Sequence, residues 1–402
     1  MSISLSLLLV FVLILLTLGF TSLPSFMFGY LFIDNVGVYL SLISLIFTIS
    51  FSWFCWNSLN VSELVGLAVS VISSVVCFTT SNCLLFWVSY ELTIIPLVCC
   101  IIASSPYSER FSAVWYLLFY ITVTSLPMLM VIVSLAENYG SYCFYTWEGT
   151  GGTGEMILFL LFITKVPLPP PFHSWLPVVH AEASTYVSIV LSGYVMKLGV
   201  VGLLRFCGNS IPLLLVLITI MFFFSLIFFV SSFSELDNKR WLAFLSLSHI
   251  MVSILGIYFC PESATLSAVY CVGHGISAGM LFYFFMRSYE ATGTRNWLLI
   301  ASNDNIGNAW RITGILGFLS VASLPPAMTF ITELYILGSS QLSFVLLVGL
   351  SLYLFIGGVL PLLLLSYFLC NSTVSQLSGE TQICTLVVIL SLYIVWFLGG
   401  II

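Results

Sequence analysis

"FITKVPLPPPFHSWLPVVHAEASTYVSIVLSGYVMKLGVVGLLRF" runs from Phe162 to Phe206 and holds two of the chain's three lysines, Lys165 and Lys197. Both lie among apolar residues that read as helix able to enter a bilayer. Directly after Lys165 come Pro167, Pro169, Pro170 and Pro171. Proline lacks the backbone N–H and clashes with the preceding turn, so the first helical segment must break there. Unwound backbone at membrane depth is tolerated only where it is buried in protein or lines a hydrated cavity. A broken, lysine-bearing membrane helix is therefore the expectation that organises the rest of the chain.

Composition agrees with a membrane setting. The chain has 402 residues, 60% hydrophobic and 6% charged, and its mean hydropathy is +1.18. A soluble domain could not make its surface polar with so few charges. Thirteen apolar runs are long enough to span, at roughly 2–20, 36–56, 63–79, 83–103, 110–135, 155–178, 180–204, 211–233, 240–258, 264–286, 311–338, 342–368 and 383–400. The first run lacks a basic leader and a small-residue cleavage site, so it reads as a retained helix. Connections are short, and the chain reads as a single integral membrane domain over 1–402. It divides into N-terminal helices (1–60), a first half (61–206), a second half (207–338) and C-terminal helices (339–402).

Net charge is −6, with the charges scattered and no polybasic patch, which argues against a nucleic-acid partner. The eleven cysteines include the adjacent pair Cys99–Cys100 but no CxxC or zinc-ligand spacing. Within apolar runs they behave as small hydrophobes. A GxGxxG at Gly149, Gly151 and Gly154 follows no strand, so it reads as a loop rather than a dinucleotide site.

Ionisable groups at membrane depth need a reason, since each costs about 2.5–3.5 kcal/mol on insertion scales. Glu91, Lys165, Lys197, Lys239, His249, His274 and Glu333 all fall in or near the interior of the apolar runs. Unpaired, they would together cost roughly 20 kcal/mol. Snorkelling from a helix end is the bland alternative, and Lys239, beside Arg240 near a helix start, fits it. Glu91, Lys165, Lys197 and Glu333 are enclosed on both sides and do not. All three lysines are in this set, whereas the arginines lie at helix ends or in loops. Lysine can release a proton when desolvated and arginine cannot, so the segregation suits a path that loads and unloads protons.

"SVASLPPAMTFITEL" breaks a second apolar run just before Glu333, as "TKVPLPPPF" does just after Lys165. Two Pro-interrupted segments in corresponding halves point to inverted-repeat transport architecture, with ordinary proline kinks as the alternative. His173, His180 and Glu182 follow the first break and line either an entry route or an interfacial loop. Ser246 falls near the Lys239 face of its helix, with His249 in the same half; such groups carry protons with water or merely bond neighbouring helices. His274 sits between glycines where helices can approach closely.

Taken together, "FWVSYELTIIP", "SERFSAVWYLLFYITVTSLP", "KVPLPPPFHSWLPVVHAEA", "VMKLGVVGLLR", "LDNKRWLAFLSLSH", "GHGISAGMLF" and "LPPAMTFITEL" resemble, in order and spacing, the antiporter-like membrane subunits of respiratory complex I. The resemblance runs from about Asp34 to Glu333. It implies an all-α polytopic bundle of about thirteen helices, two of them Pro-broken and related as an inverted repeat. It also implies that Glu91 pairs with a pumping lysine, Lys165, that Lys197 bridges, and that Lys239, His249 and His274 belong to a central hydrophilic axis. Glu333 stands where one branch of the family carries glutamate on its second broken helix and the chain 2 and chain 5 branches usually carry lysine.

The chain departs from the pattern in places. The family usually has fourteen core helices, so the resemblance implies that one is missing before Asp34. "PLPPPF" stands where a glycine is common, Val178 replaces a frequent lysine, and Ser184 a frequent proline.

The resemblance implies proton translocation coupled to NADH:ubiquinone electron transfer, with no redox chemistry and no cofactor in this chain. Its implied partners are other membrane-arm subunits, chain 2-like and chain 5-like on either side, together with lipids. The implied setting is multi-pass in the mitochondrial inner membrane, or a bacterial plasma membrane as the alternative. Competing readings are a subunit of a multi-subunit sodium/proton antiporter, a small-solute secondary transporter and a purely structural subunit.

Overall fold

A computed structural model of the chain describes residues 25–54, 60–147, 152–208, 214–260, 264–301, 308–325, 327–340 and 343–370. The apolar runs at 2–20 and 383–400 lie outside the described residues, as do Gly149, Gly151 and Pro326. The helices are α1 (Asn35–Phe54), α2 (Val61–Thr79), α3 (Cys83–Ser104), α4 (Arg110–Tyr139), α5 (Thr153–Lys165), α6 (Trp175–Glu182) and α7 (Thr185–Cys207). They continue as α8 (Leu215–Ser234), α9 (Asn238–Phe259), α10 (Ala264–Thr292), α11 (Trp297–Ala301), α12 (Asn308–Val321), α13 (Met328–Ser339) and α14 (Phe344–Cys370). Among the described residues, eight helices are long and apolar enough to cross a membrane.

One element departs from the all-α expectation. Phe26–Phe28 (β1) and Leu31–Ile33 (β2) pair antiparallel as a small hairpin ahead of α1. Gly29, with φ of 61°, makes the turn that a side chain would resist. The run "FMFGYLFI" is too short to span, and its aromatic and β-branched residues suit a strand. Asp34 then accepts a hydrogen bond from the Gly37 amide at 3.0 Å and starts α1.

The layering follows from which helices bury their whole circumference. The most apolar stretch of α7 is 94% buried and those of α9 and α10 83%, against 39% for α4, α8 and α14. The first three are the inner helices, and the others present one face outward. Small residues let the inner helices approach closely. A Cβ on Gly275 of α10 would meet the Gly193 carbonyl oxygen of α7 at 2.9 Å. On the opposite side of α7, Cβ atoms on Gly199 and Gly202 would overlap Val166 and Phe162, beside the end of α5.

Two of the apolar runs are each two helices. The 155–178 run is α5, which stops at Lys165, and α6, which starts at Trp175, with a cis Pro170–Pro171 bond between them. The 311–338 run is α12, ending at Val321, and α13, starting at Met328. Backbone groups freed at the first interruption find partners. The Thr164 carbonyl accepts from the Tyr120 hydroxyl, because the Leu168 amide reaches back to Ile163 instead, at 3.3 Å.

Candidate functional site

Glu91 comes from the middle of α3, whose start is fixed by Asn82 accepting from the Leu84 and Leu85 amides. Lys165 is the last residue of α5, held there by the interruption that follows. The two meet at 2.6 Å, with side chains 11% and 1% exposed respectively. Ser125 of α4 donates to the same Glu91 Oε1 at 2.6 Å, and the Lys165 ammonium lies 4.0 Å from the centre of the Tyr90 ring. The buried charge thus has a counter-ion, and the ring face adds to its stabilisation.

Lys197 is fully buried on α7. Just before it, Leu191–Val195 forms a π turn, a widening that recurs at functional positions in helices. Its ammonium donates to the Ser192 carbonyl within that turn and to His274 Nδ1 at 3.1 Å. The close Gly193–Gly275 crossing is what brings α10, and with it His274, within reach. The His274 and His249 rings are 5.5 Å apart.

From His249 the polar groups continue. Tyr353 of α14 lies 2.5 Å from His249 Nδ1, and Tyr270 of α10 lies 3.3 Å from the same atom. Tyr270 donates to Glu333 Oε1 at 3.2 Å, and Ser323, in the α12–α13 connection, donates to it at 3.1 Å. Ser323 adopts φ of 50°, uncommon for a residue with a Cβ, in the connection that carries its hydroxyl to the carboxylate. The second Glu333 oxygen and His249 Nε2 are buried without a partner among the described residues.

Lys239 lies apart from this chain of groups. It is ten residues before His249 on α9, about 15 Å along the helix, and its ammonium donates to the Ala183 carbonyl at 2.8 Å. Ser246 bonds the Ala243 carbonyl of its own helix rather than continuing a ladder from Lys239. Around Ala183 the whole carboxyl end of α6 is capped by side chains. Ser188 donates to His180 O, Arg295 to Ala181 O at 2.6 Å, and Ser105 to Glu182 O. Cations suit a helix carboxyl end, where the unpaired carbonyls carry partial negative charge. Arg295 also pairs with Asp237 at 3.3 Å and with Glu182 at 3.7 Å.

His180 is fully buried, its ring stacked on Phe282 and neither nitrogen partnered among the described residues. His173 stacks on Phe228. The geometry therefore forms two groups, Glu91–Lys165–Ser125 and Lys197–His274–His249–Tyr353–Tyr270–Glu333, plus a helix-end cluster around Lys239. Such an arrangement can hold, exchange and pass protons between buried acids and bases.

The family model for NADH:quinone oxidoreductase/Mrp antiporter, TM matches residues 80–357. The chain belongs to that NADH:quinone oxidoreductase/Mrp antiporter family. A family member from Artemia franciscana, NADH-ubiquinone oxidoreductase chain 4, is 31% identical over 318 residues, covering 76% of this chain and 81% of its own. The antiporter-family fold recurs in solved assemblies. A chain of respiratory complex I from Thermus thermophilus with bound NADH superposes with a TM-score of 0.78 at 20% identity, over 99% of this chain and 91% of that one. A chain of the membrane-bound sulfane sulfur reductase, an archaeal respiratory membrane complex, reaches 0.85 at 13% identity, over 100% and 88%.

Four polar residues of this family member's site were not singled out in the sequence: Ser125, Tyr270, Ser323 and Tyr353. Serine and tyrosine are abundant throughout the chain, and only contact across helices distinguishes these. Arg205 is a further case. It reads as a helix-end charge, yet its side chain is 4% exposed, pairs with Asp34 at 2.6 Å and donates to the Tyr145 hydroxyl, tying the region before α1 to the end of α7.

Proposed function

We propose that this chain is a proton-translocating membrane-arm subunit of respiratory complex I, of the chain 4 type, multi-pass in the mitochondrial inner membrane. It couples NADH:ubiquinone electron transfer to proton movement, while nicotinamide, flavin and iron–sulfur groups reside in other subunits. Chain 2-like and chain 5-like subunits flank it in the membrane arm. The α5–α6 and α12–α13 pairs are the two Pro-broken helices of an inverted repeat, one in each half (61–206 and 207–338), within a bundle of about thirteen spans.

The observation that carries the reading is the buried Glu91–Lys165 pair, 2.6 Å apart and set at the end of α5. Glu91 holds the Lys165 ammonium while the pair is closed. Drawing Glu91 away removes the counter-charge and releases the Lys165 proton towards Lys197. From there it passes through His274 and His249 to Glu333, with Lys239, at the carboxyl end of α6, taking part in the supply of protons. Moving one charge against the membrane potential requires about 2.3 kcal/mol per 100 mV, which the redox reaction supplies.

Lys165→Met tests the proposal in the assembled complex. Glu91 keeps the Ser125 hydrogen bond but loses its counter-ion, so fewer complexes assemble, and proton pumping per assembled complex linked to quinone reduction falls sharply. Normal pumping in the assembled variant refutes the role. Co-purification in mild detergent tests the setting: complex I redox subunits support it, and a stable isolated transporter overturns it.

A further inference from the structure

The last stretch before Glu333 is bridged by two phenols. We propose that Tyr270 and Tyr353 form a proton relay between His249 and Glu333, with Tyr270 the group through which every transfer to the carboxylate passes. The proposal deepens the proton-translocation reading given above and rests on it.

Both rings are essentially fully buried, at 1% exposure each, so their hydroxyls bond one another and the site rather than bulk water. Tyr270 OH has three polar neighbours at similar distance: His249 Nδ1 at 3.3 Å, Tyr353 OH at 3.2 Å and Glu333 Oε1 at 3.2 Å. Tyr353 OH has His249 Nδ1 at 2.5 Å and Tyr270 OH at 3.2 Å. Two routes therefore lead out of His249. One goes directly to Tyr270, the other through Tyr353 to Tyr270, and they converge on the same hydroxyl. Ser323, the other donor to Glu333 Oε1 among the described residues, has no hydrogen bond to either histidine.

A phenol carries one O–H and two lone pairs, so it can accept a proton on one side as it gives one up on the other. In the longer route, protonated His249 gives its Nδ1 proton to Tyr353 as Tyr353 gives its own to Tyr270. Tyr270 in turn gives its proton to the Glu333 carboxylate. One N–H bond is broken and one carboxyl O–H bond is formed. Both phenols end neutral, and the opposite charges on His249 and Glu333 are cancelled. Rotation of the two hydroxyls resets the chain once Glu333 has released its proton. In the shorter route Tyr270 alone performs the same exchange.

The two phenols should then differ in their effect. In the assembled complex, Tyr270→Phe keeps the ring and removes the shared hydroxyl, and pumping should slow by about a hundredfold, the low end of what a positioned proton-transfer group contributes. Tyr353→Phe leaves the direct route and should slow pumping only severalfold. Tyr270→Phe placed in a Glu333→Gln background should add nothing further, a result that a purely packing role for Tyr270 would not produce. Normal pumping in Tyr270→Phe, or equal losses in the two single variants, overturns the relay.

If Tyr270→Phe fails to assemble, redox-triggered infrared difference spectra of the wild-type complex decide. The carboxyl band assigned by its absence in Glu333→Gln should appear together with a frequency shift of a tyrosine C–O–H mode, since the phenols stay neutral but change hydrogen-bond partners, and its appearing alone overturns the proposal. Lys165→Met is run alongside as the reference. Normal pumping in that variant removes the translocation reading itself, whereas its loss combined with normal pumping in Tyr270→Phe removes the relay alone.

Discussion

Breaking the Glu91–Lys165 pair from one side and from both sides should give opposite results for assembly. Glu91→Leu leaves the Lys165 ammonium, 1% exposed, with only the Tyr90 ring at 4.0 Å among its described neighbours of matching charge character. Removing one partner of a buried pair destabilises by about 3–5 kcal/mol, because the remaining charge is left uncompensated. At about 1.4 kcal/mol per tenfold, this corresponds to roughly two to four powers of ten in the folded-to-unfolded ratio. The variant should assemble poorly and melt early. Glu91→Leu combined with Lys165→Met replaces both charges by apolar groups of similar size, a change that is neutral or stabilising by up to about 4 kcal/mol in comparable cases. Ser125, freed of its acceptor, can bond a carbonyl of its own helix. The double variant should therefore recover assembly and still fail to pump. Native-gel abundance and the melting temperature of the purified complex read the first property, and acidification by energised vesicles reads the second. The reasoning is refuted if Glu91→Leu alone assembles and melts like the wild type, or if the double variant pumps.

Glu333 and Lys239 give two further tests. Glu333→Gln keeps an acceptor for Tyr270 and Ser323, so assembly should hold while pumping falls; a fully active Glu333→Gln complex defeats the role. Glu333→Leu takes the carboxylate acceptor from Ser323 and one of three polar partners from Tyr270, and should lower stability by about 1–3 kcal/mol in a melting experiment. Lys239→Met leaves the Ala183 carbonyl without its charged donor and should cost about 1.5–3 kcal/mol. Lys239→Arg restores a donor and should restore the melting temperature. If Lys239 also supplies protons, Lys239→Arg remains deficient in pumping, since arginine does not release its proton; full pumping confines Lys239 to capping.

The sequence announced the helices because spanning runs are long and apolar, and it announced Glu91, Lys165, Lys197 and Glu333 because charges among such runs are rare. The connections between α5 and α6 and between α12 and α13 hold the prolines quoted from the sequence, and proline acts locally on the backbone. What it could not supply is adjacency. His249 and Tyr353 are 104 residues apart in the chain, and Tyr270 and Glu333 are 63 apart. Tyrosine in a chain that is 16% aromatic carries no mark of its own. The opposite error arises on one helix. Lys239 and His249 read together because both lie on α9, yet the rise of the helix separates them, and Lys239 faces the carboxyl end of α6 instead. The hairpin before α1 was missed for a related reason, since eight apolar residues fit several states until their neighbours are placed.

The gaps in the polar chain matter as much as its links. A route hydrogen-bonded continuously from one face of a membrane to the other would return protons down the gradient as readily as it moved them up. With about 2.3 kcal/mol stored per charge per 100 mV, such a path would drain what the redox reaction had gained. Among the described residues no direct hydrogen bond joins Lys165 to Lys197. Between α5 and α7 lie Phe162 and Val166, packed so closely against Gly199 and Gly202 that an added Cβ would overlap them. A second interruption separates His274 from His249, whose rings are 5.5 Å apart without a shared hydrogen bond. Closed pairs flank each gap: Glu91 with Lys165 on one side of the first, Lys197 with His274 on the other. In the proposed cycle, coupling consists in opening these interruptions one at a time, and the apolar seal between α5 and α7 keeps the resting chain from leaking.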